Sequence, residues 1–123
     1  RRIFDEIGLF DEDLIICEDY DLWLRISSKY PVLYLDSMLI KKFGGHEDQL
    51  SKNINGIEQF RIQSLEKILK NRSLKPSYFN AAKNMVLKKL LIYRSGLIKR
   101  NKVKENAIIE KKIHYWTLMV NSN

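Results

Sequence analysis

Cys17-Glu18-Asp19-Tyr20-Asp21-Leu22-Trp23-Leu24-Arg25 sets two adjacent carboxylates directly before an amphipathic run, and a third carboxylate, Asp21, follows. Leu22 and Ile26 repeat at i, i+4, and Asp21 with Arg25 makes an i, i+4 ion pair, so residues 19–29 read as a helix ended by Pro31. Acidic side chains suit a helix N-terminus because the backbone dipole favours negative charge there. A carboxylate held ionised in a fixed place can accept a proton from a substrate hydroxyl. The same pair also serves a helix that needs nothing but a stabilised end. Both readings of Glu18 and Asp19 stand on these residues alone.

Outward from this helix the pattern changes character. Residues 2–7 read as the end of a short helix stopped by Gly8. Residues 10–16 are irregular or briefly extended, with Asp11-Glu12-Asp13 facing solvent. On the other side, Val32-Leu33-Tyr34-Leu35 and Met38-Leu39-Ile40 are short apolar runs parted by Asp36-Ser37, which predicts two brief strands or a hairpin. Gly44-Gly45-His46-Glu47-Asp48-Gln49 is a loop by its glycines.

Beyond residue 52 every segment has helical spacing. Ile57, Phe60, Leu65, Ile68 and Leu69 form one stripe. Phe79, Ala82, Val86, Leu90, Tyr93 and Leu97 form a second, after Pro76 at a first-turn position. Ile109, Ile113, Trp116 and Val120 form a third. Such stripes are packing faces. The expected fold is α+β and mostly helical, with a short strand pair in residues 1–51 and a helical extension over residues 52–123.

At 123 residues with 45% hydrophobic and 11% aromatic side chains, the chain has enough apolar material for a core. No apolar run reaches the roughly 20 residues needed to cross a bilayer, and no signal peptide is visible. The single cysteine, Cys17, excludes an internal disulfide and a cysteine-based zinc site, in keeping with a reducing cytoplasm. Its acidic neighbours argue against a reactive thiolate. The chain opens without methionine, part-way into a helix, and reads as a piece of something longer.

Charge is divided unevenly along the chain. Residues 1–51 hold 6 Lys/Arg against 11 Asp/Glu, a balance of −5, whereas residues 52–123 hold 16 against 4, a balance of +12. The basic half is either the solvated faces of helices or a surface attracted to polyanions, an anionic membrane included. Its lysines are spread around several helices rather than clustered, which disfavours nucleic acid. The stripes also leave an oligomer contact open.

Three motifs occur in order: Arg2-x-Phe4-x-x-Ile7-Gly8-x-Phe10-Asp11-Glu12, then Glu18-Asp19-Tyr20-Asp21-Leu22-Trp23-Leu24-Arg25, then Gly45-His46-x-x-Gln49-Leu50-Ser51 after the strand pair. Together they resemble the family-2 glycosyltransferases, and specifically the second half of their Rossmann-like GT-A catalytic domain. The resemblance covers about the first 51 residues; residues 52–123 match only the family's habit of carrying helical C-terminal extensions.

The resemblance implies an inverting transfer of a sugar from a nucleotide-sugar donor to a hydroxyl of a glycan or lipid-linked acceptor, in cell-surface polysaccharide or glycan synthesis. It implies Asp19 as the base and Glu18 as its brace or as a positioner of the acceptor. It implies Mg or Mn in the full-length enzyme, with His46 as a candidate ligand, and Gln49 and Ser51 as substrate contacts in a loop over the nucleotide. The implied place is the cytoplasm, at or near the inner face of the plasma membrane. The parallel α/β half that binds the nucleotide is expected before Arg1, so these residues alone are expected to be inactive.

Simpler readings accompany several of these residues. His46 is equally a surface histidine bonded within its own loop. Trp23 either stacks on an acceptor sugar or fills the core. Asp19-x-Asp21 has a metal-binding look, but on a helix the two carboxylates splay apart, and Asp21 belongs to Arg25. Lys41 and Lys42 can offset diphosphate charge or simply sit on an exposed strand. His114, beside Tyr115 and Trp116, reads as a packing residue. The competing function from another class is a non-catalytic basic helical module that binds a membrane surface or a partner.

Overall fold

The computed structural model describes residues 1–41, 43, 56–71 and 74–121. Five helices run through the described residues: α1 (Arg2–Ile7), α2 (Glu18–Lys29), α3 (Ile57–Leu69), α4 (Pro76–Lys99) and α5 (Val103–Asn121). The starts and stops follow local chemistry. Gly8 ends α1 at φ 84°, ψ 170°, a backbone region essentially reserved for glycine. Pro76 occupies the first turn of α4, where its missing N–H costs nothing. Asn101, at φ 55°, turns α4 into α5: its N–H donates to the Ile98 carbonyl at 3.0 Å and the Lys102 N–H to the Leu97 carbonyl at 3.0 Å. That is a Schellman closure with asparagine in the left-handed position.

The three expected stripes meet as one core. Ile62, Leu65, Leu69, Val86, Leu90, Leu97, Ile109 and Trp116 are buried together, and Tyr20, Leu24, Phe79, Ala82, Tyr93 and Ile113 pack partly buried against them. Full burial of each Leu or Val in such a cluster is worth about 1.5–3 kcal/mol. The helix α2 joins this core through Tyr20 and Leu24, and α1 lies against α2. Two polar side chains drawn into the core find partners there. Lys83, 3% exposed, donates to the Met119 carbonyl at 2.9 Å, and the buried Ser64 hydroxyl donates to the Phe60 carbonyl at 3.0 Å.

The strand pair is not present. No strand forms among the described residues, so neither the strands expected at residues 32–35 and 38–40 nor any Rossmann-like GT-A sheet portion is part of this fold. Residues 32–40 carry the apolar composition of strands, yet Leu33, Tyr34, Met38 and Ile40 are almost fully exposed. A strand exists only when its N–H and C=O groups pair with a neighbouring strand, and the described helices offer no such ladder. The described residues form a helical fold rather than an α+β one.

Two further expectations change. His114 is exposed instead of packed. Asp11, expected to face solvent, is tied by its Oδ2 to Lys67 Nζ at 2.7 Å. Lys42, the loop with His46, Gln49 and Ser51, and the side chain of Val120 lie outside the described residues.

Candidate functional site

The first turn of α2 is fixed from beneath by a buried ionic knot. Asp21 is only 2% exposed. Its Oδ2 accepts from Arg25 Nε at 2.8 Å, and its Oδ1 lies 3.2 Å from Lys67 Nζ on α3. Arg25 spends its remaining donors on the chain leaving α1: Nη1 donates to the Ile7 carbonyl at 2.7 Å and Nη2 to the Leu9 carbonyl at 2.7 Å. One carboxylate thereby joins α1, α2 and α3. The expected i, i+4 pair is real, and Asp21 is structural. Its inward direction also parts it from Asp19, so the two do not share a ligand.

Glu18 and Asp19 face the other way. Both are exposed, and neither forms an ion pair among the described residues. Asp19 Oδ1 accepts from the Tyr20 N–H at 2.7 Å, a contact that holds the carboxylate against the helix start. The preceding residue, Cys17, sits at φ 64° and makes no side-chain cap. Glu18, Asp19 and Trp23 of α2 and Ile57 and Arg61 of α3 together line an open cleft of about 360 Å3. Trp23 is 56% exposed here, which decides against its burial in the core.

Arg61 is the cleft residue that sequence reading missed. Its Nη1 donates to Glu58 Oε1 at 2.7 Å, while Lys89 Nζ lies 3.1 Å from Glu58 Oε2. One carboxylate is thus shared by two cations, and the cluster keeps a net positive charge facing Glu18 and Asp19. The available signal was spacing: Ile57 and Arg61 are four apart, so they share a face of α3.

Titration behaviour at the cleft follows burial. Burial pushes the Cys17 thiol up, the nearby Asp19 and Glu18 charges add to that, and Arg61 opposes it. Burial likewise raises the Tyr20 phenol. Cys17 is therefore a protonated thiol at neutral pH, not a nucleophile. Among the described residues no group of three His, Cys, Asp or Glu side chains converges to hold a metal ion. None of their helices is long and apolar enough to cross a membrane.

The cleft can therefore do a limited chemistry. It offers a carboxylate with open access, a second carboxylate beside it, an aromatic face and a guanidinium.

No known family profile matches the chain, and no solved structure matches it. Curated proteins do. The chain is 44% identical over 55 residues to an uncharacterized glycosyltransferase of Rickettsia felis and 42% identical over 55 residues to one of Rickettsia conorii. It is 37% identical over 54 residues to an uncharacterized glycosyltransferase of Rickettsia bellii. Each match takes in 44% of this chain, and the chain spans only 8–9% of the length of these relatives. The similarity thus joins a little under half of this chain to a short stretch of proteins named glycosyltransferases.

Proposed function

We propose that residues 1–51 supply the acceptor side of an inverting, family-2-type glycosyltransferase site, and that residues 52–123 are a basic helical extension that carries it. The observation that carries this reading is Asp19: an exposed carboxylate without an ion pair among the described residues, at the start of α2, in a cleft with Glu18, Trp23 and Arg61. The three ordered motifs and the similarity to proteins named glycosyltransferases support it.

Asp19 takes the proton of the acceptor hydroxyl as that oxygen bonds to the anomeric carbon of the donor sugar. The bond from that carbon to the leaving nucleoside diphosphate breaks from the opposite face, which inverts the configuration. Glu18 orients the hydroxyl toward Asp19. Trp23 offers its exposed ring to a sugar face. Arg61 balances the two carboxylates and donates hydrogen bonds across the cleft. The nucleotide-sugar donor, the contacts of Gln49 and Ser51, and a divalent metal at His46 belong to the same proposal. The described residues do not by themselves make a metal site, and no step is routed through one.

The test is Asp19→Asn in a full-length enzyme that carries these residues, with transfer read as nucleoside diphosphate release. Loss of turnover with an unchanged melting temperature supports the reading; near-normal turnover contradicts it.

A further inference from the structure

We propose that the outer face of α5, with the groove between α3 and α5, docks the chain on an anionic phospholipid surface. The groove has a volume of about 810 Å3 and lies away from the Asp19 cleft, on residues that the transferase reading does not use. Its floor is apolar, made by Leu69, Phe79 and Trp116. Glu66 is the groove's acidic residue, and it is already engaged: Oε2 accepts from Lys112 Nζ at 2.6 Å and Oε1 from Trp116 Nε1 at 3.2 Å. Lys70 and Lys111 then stand at the groove exposed and without an ion pair among the described residues. The groove carries net positive charge over an apolar floor.

The same charge pattern continues along α5. Lys104, Ile108, Lys111, Tyr115 and Leu118 recur every three or four residues, and all five are exposed. The opposite face of α5 is fully employed, since Ile109, Ile113 and Trp116 pack into the core. The outward stripe is therefore not a core face. Lysines alternating with exposed Ile108, Tyr115 and Leu118 match a helix lying in a headgroup layer, with the apolar side chains dipping in and the ammonium groups meeting lipid phosphates.

Charge complementarity and the aliphatic residues together select this occupant. Nucleic acid would answer the lysines and could stack on Tyr115, but it gains little from the exposed aliphatic Ile108 and Leu118, which a lipid layer buries. The +12 balance of residues 52–123 supplies long-range attraction to the same surface.

Co-sedimentation of the 123-residue chain with phosphatidylcholine vesicles, with and without added phosphatidylserine, tests the proposal. Binding is expected only with phosphatidylserine present, and weaker at physiological than at low salt. Lys70→Ala with Lys111→Ala is expected to reduce it about thirtyfold, from about 1 kcal/mol per lysine near an anionic surface. Tyr115→Ala with Leu118→Ala is expected to weaken binding at both salts. All four side chains are exposed, and circular dichroism checks that each variant keeps its helices. Absence of binding to anionic vesicles at low salt overturns the proposal, as does binding that none of these residues affects. Tighter binding of a single-stranded oligonucleotide through the same lysines, or self-association through the same stripe, overturns it too. None of these outcomes depends on Asp19.

Discussion

Lys67 on α3 and Asp21 on α2 are separated by 46 residues in sequence and by 3.2 Å in space, and the carboxylate of the pair is 2% exposed. With Arg25 on its other side, Asp21 is compensated twice. Removing one partner of a buried pair costs more than the pair contributes, because a desolvated charge is left behind. Asp21→Ala leaves Lys67 with Asp11 and Arg25 with the Ile7 and Leu9 carbonyls, so the loss is that of the tie between α2 and α3, expected to destabilise the chain by about 2–3 kcal/mol. Lys67→Met leaves Arg25 in place, and Lys67 is itself 46% exposed, so its loss is expected to be smaller, about 1–2 kcal/mol. Urea unfolding of both variants checks the order; equal effects would mean that Arg25 does not hold Asp21.

Gly8 provides a backbone test of the same joint. At φ 84°, ψ 170°, an alanine is strained wherever its Cβ points. Gly8→Ala is expected to cost about 1–3 kcal/mol and to loosen α1 from α2, since the Gly8 and Leu9 carbonyls both accept from Arg25. Hydrogen exchange at the α1 amides reads the loosening directly. Unchanged stability and protection would show that α1 contributes nothing to the knot.

Stability should fall at both ends of the pH scale. The hydrogen bond from Lys67 holds Asp11 below the usual carboxylate range, and that from Tyr30 does the same for Glu6. Carboxyl groups depressed in the folded state stabilise above their unfolded pKa, and that contribution disappears as pH falls through the folded value. The Tyr30 phenol is raised by its hydrogen bond to Glu6. Burial pulls Lys67 down, but its bonds to Asp11 and Asp21 outweigh this and raise it. Raised groups stabilise below their unfolded pKa and lose that contribution as pH rises through the folded value. Thermal melts across pH should show a plateau near neutrality and a fall on either side. Lys67→Met should shrink the acid limb; an identical profile in the variant would contradict the Asp11 tether.

Cys17 should behave as a masked thiol. It is buried, and burial raises its pKa. Reaction with a thiol reagent at pH 7 is expected to be slow in the folded chain and fast in urea. Fast labelling of the folded chain would mean that the start of α2 opens readily.

Much of this molecule is legible in its sequence, because its helices are specified locally. The i, i+4 spacing of Leu22 with Ile26 and of Asp21 with Arg25, the stop at Gly8, Pro76, and the three stripes all register within a few residues of chain. The strand pair failed for the opposite reason. Val32 to Leu35 and Met38 to Ile40 have strand composition, but pairing depends on a neighbour that composition does not report. Asp11 to Lys67 and Asp21 to Lys67 are contacts between distant segments, so no local pattern announces them. Asn101 was readable in principle, since asparagine substitutes for glycine after a helix end. Trp23 was ambiguous because a tryptophan on an amphipathic helix suits either face; only the packing of α3 against α2 left it on the cleft.

The central claim rests on Asp19, and turnover of the Asp19→Asn enzyme tests it most directly. Replacing the proposed base with an isosteric amide, in a full-length transferase carrying these residues, is expected to lower kcat about 10²–10⁴-fold. The melting temperature should stay unchanged, since Asp19 is exposed and forms no ion pair among the described residues. A variant that keeps its fold and turns over within a few-fold of the parent would remove Asp19 as the base.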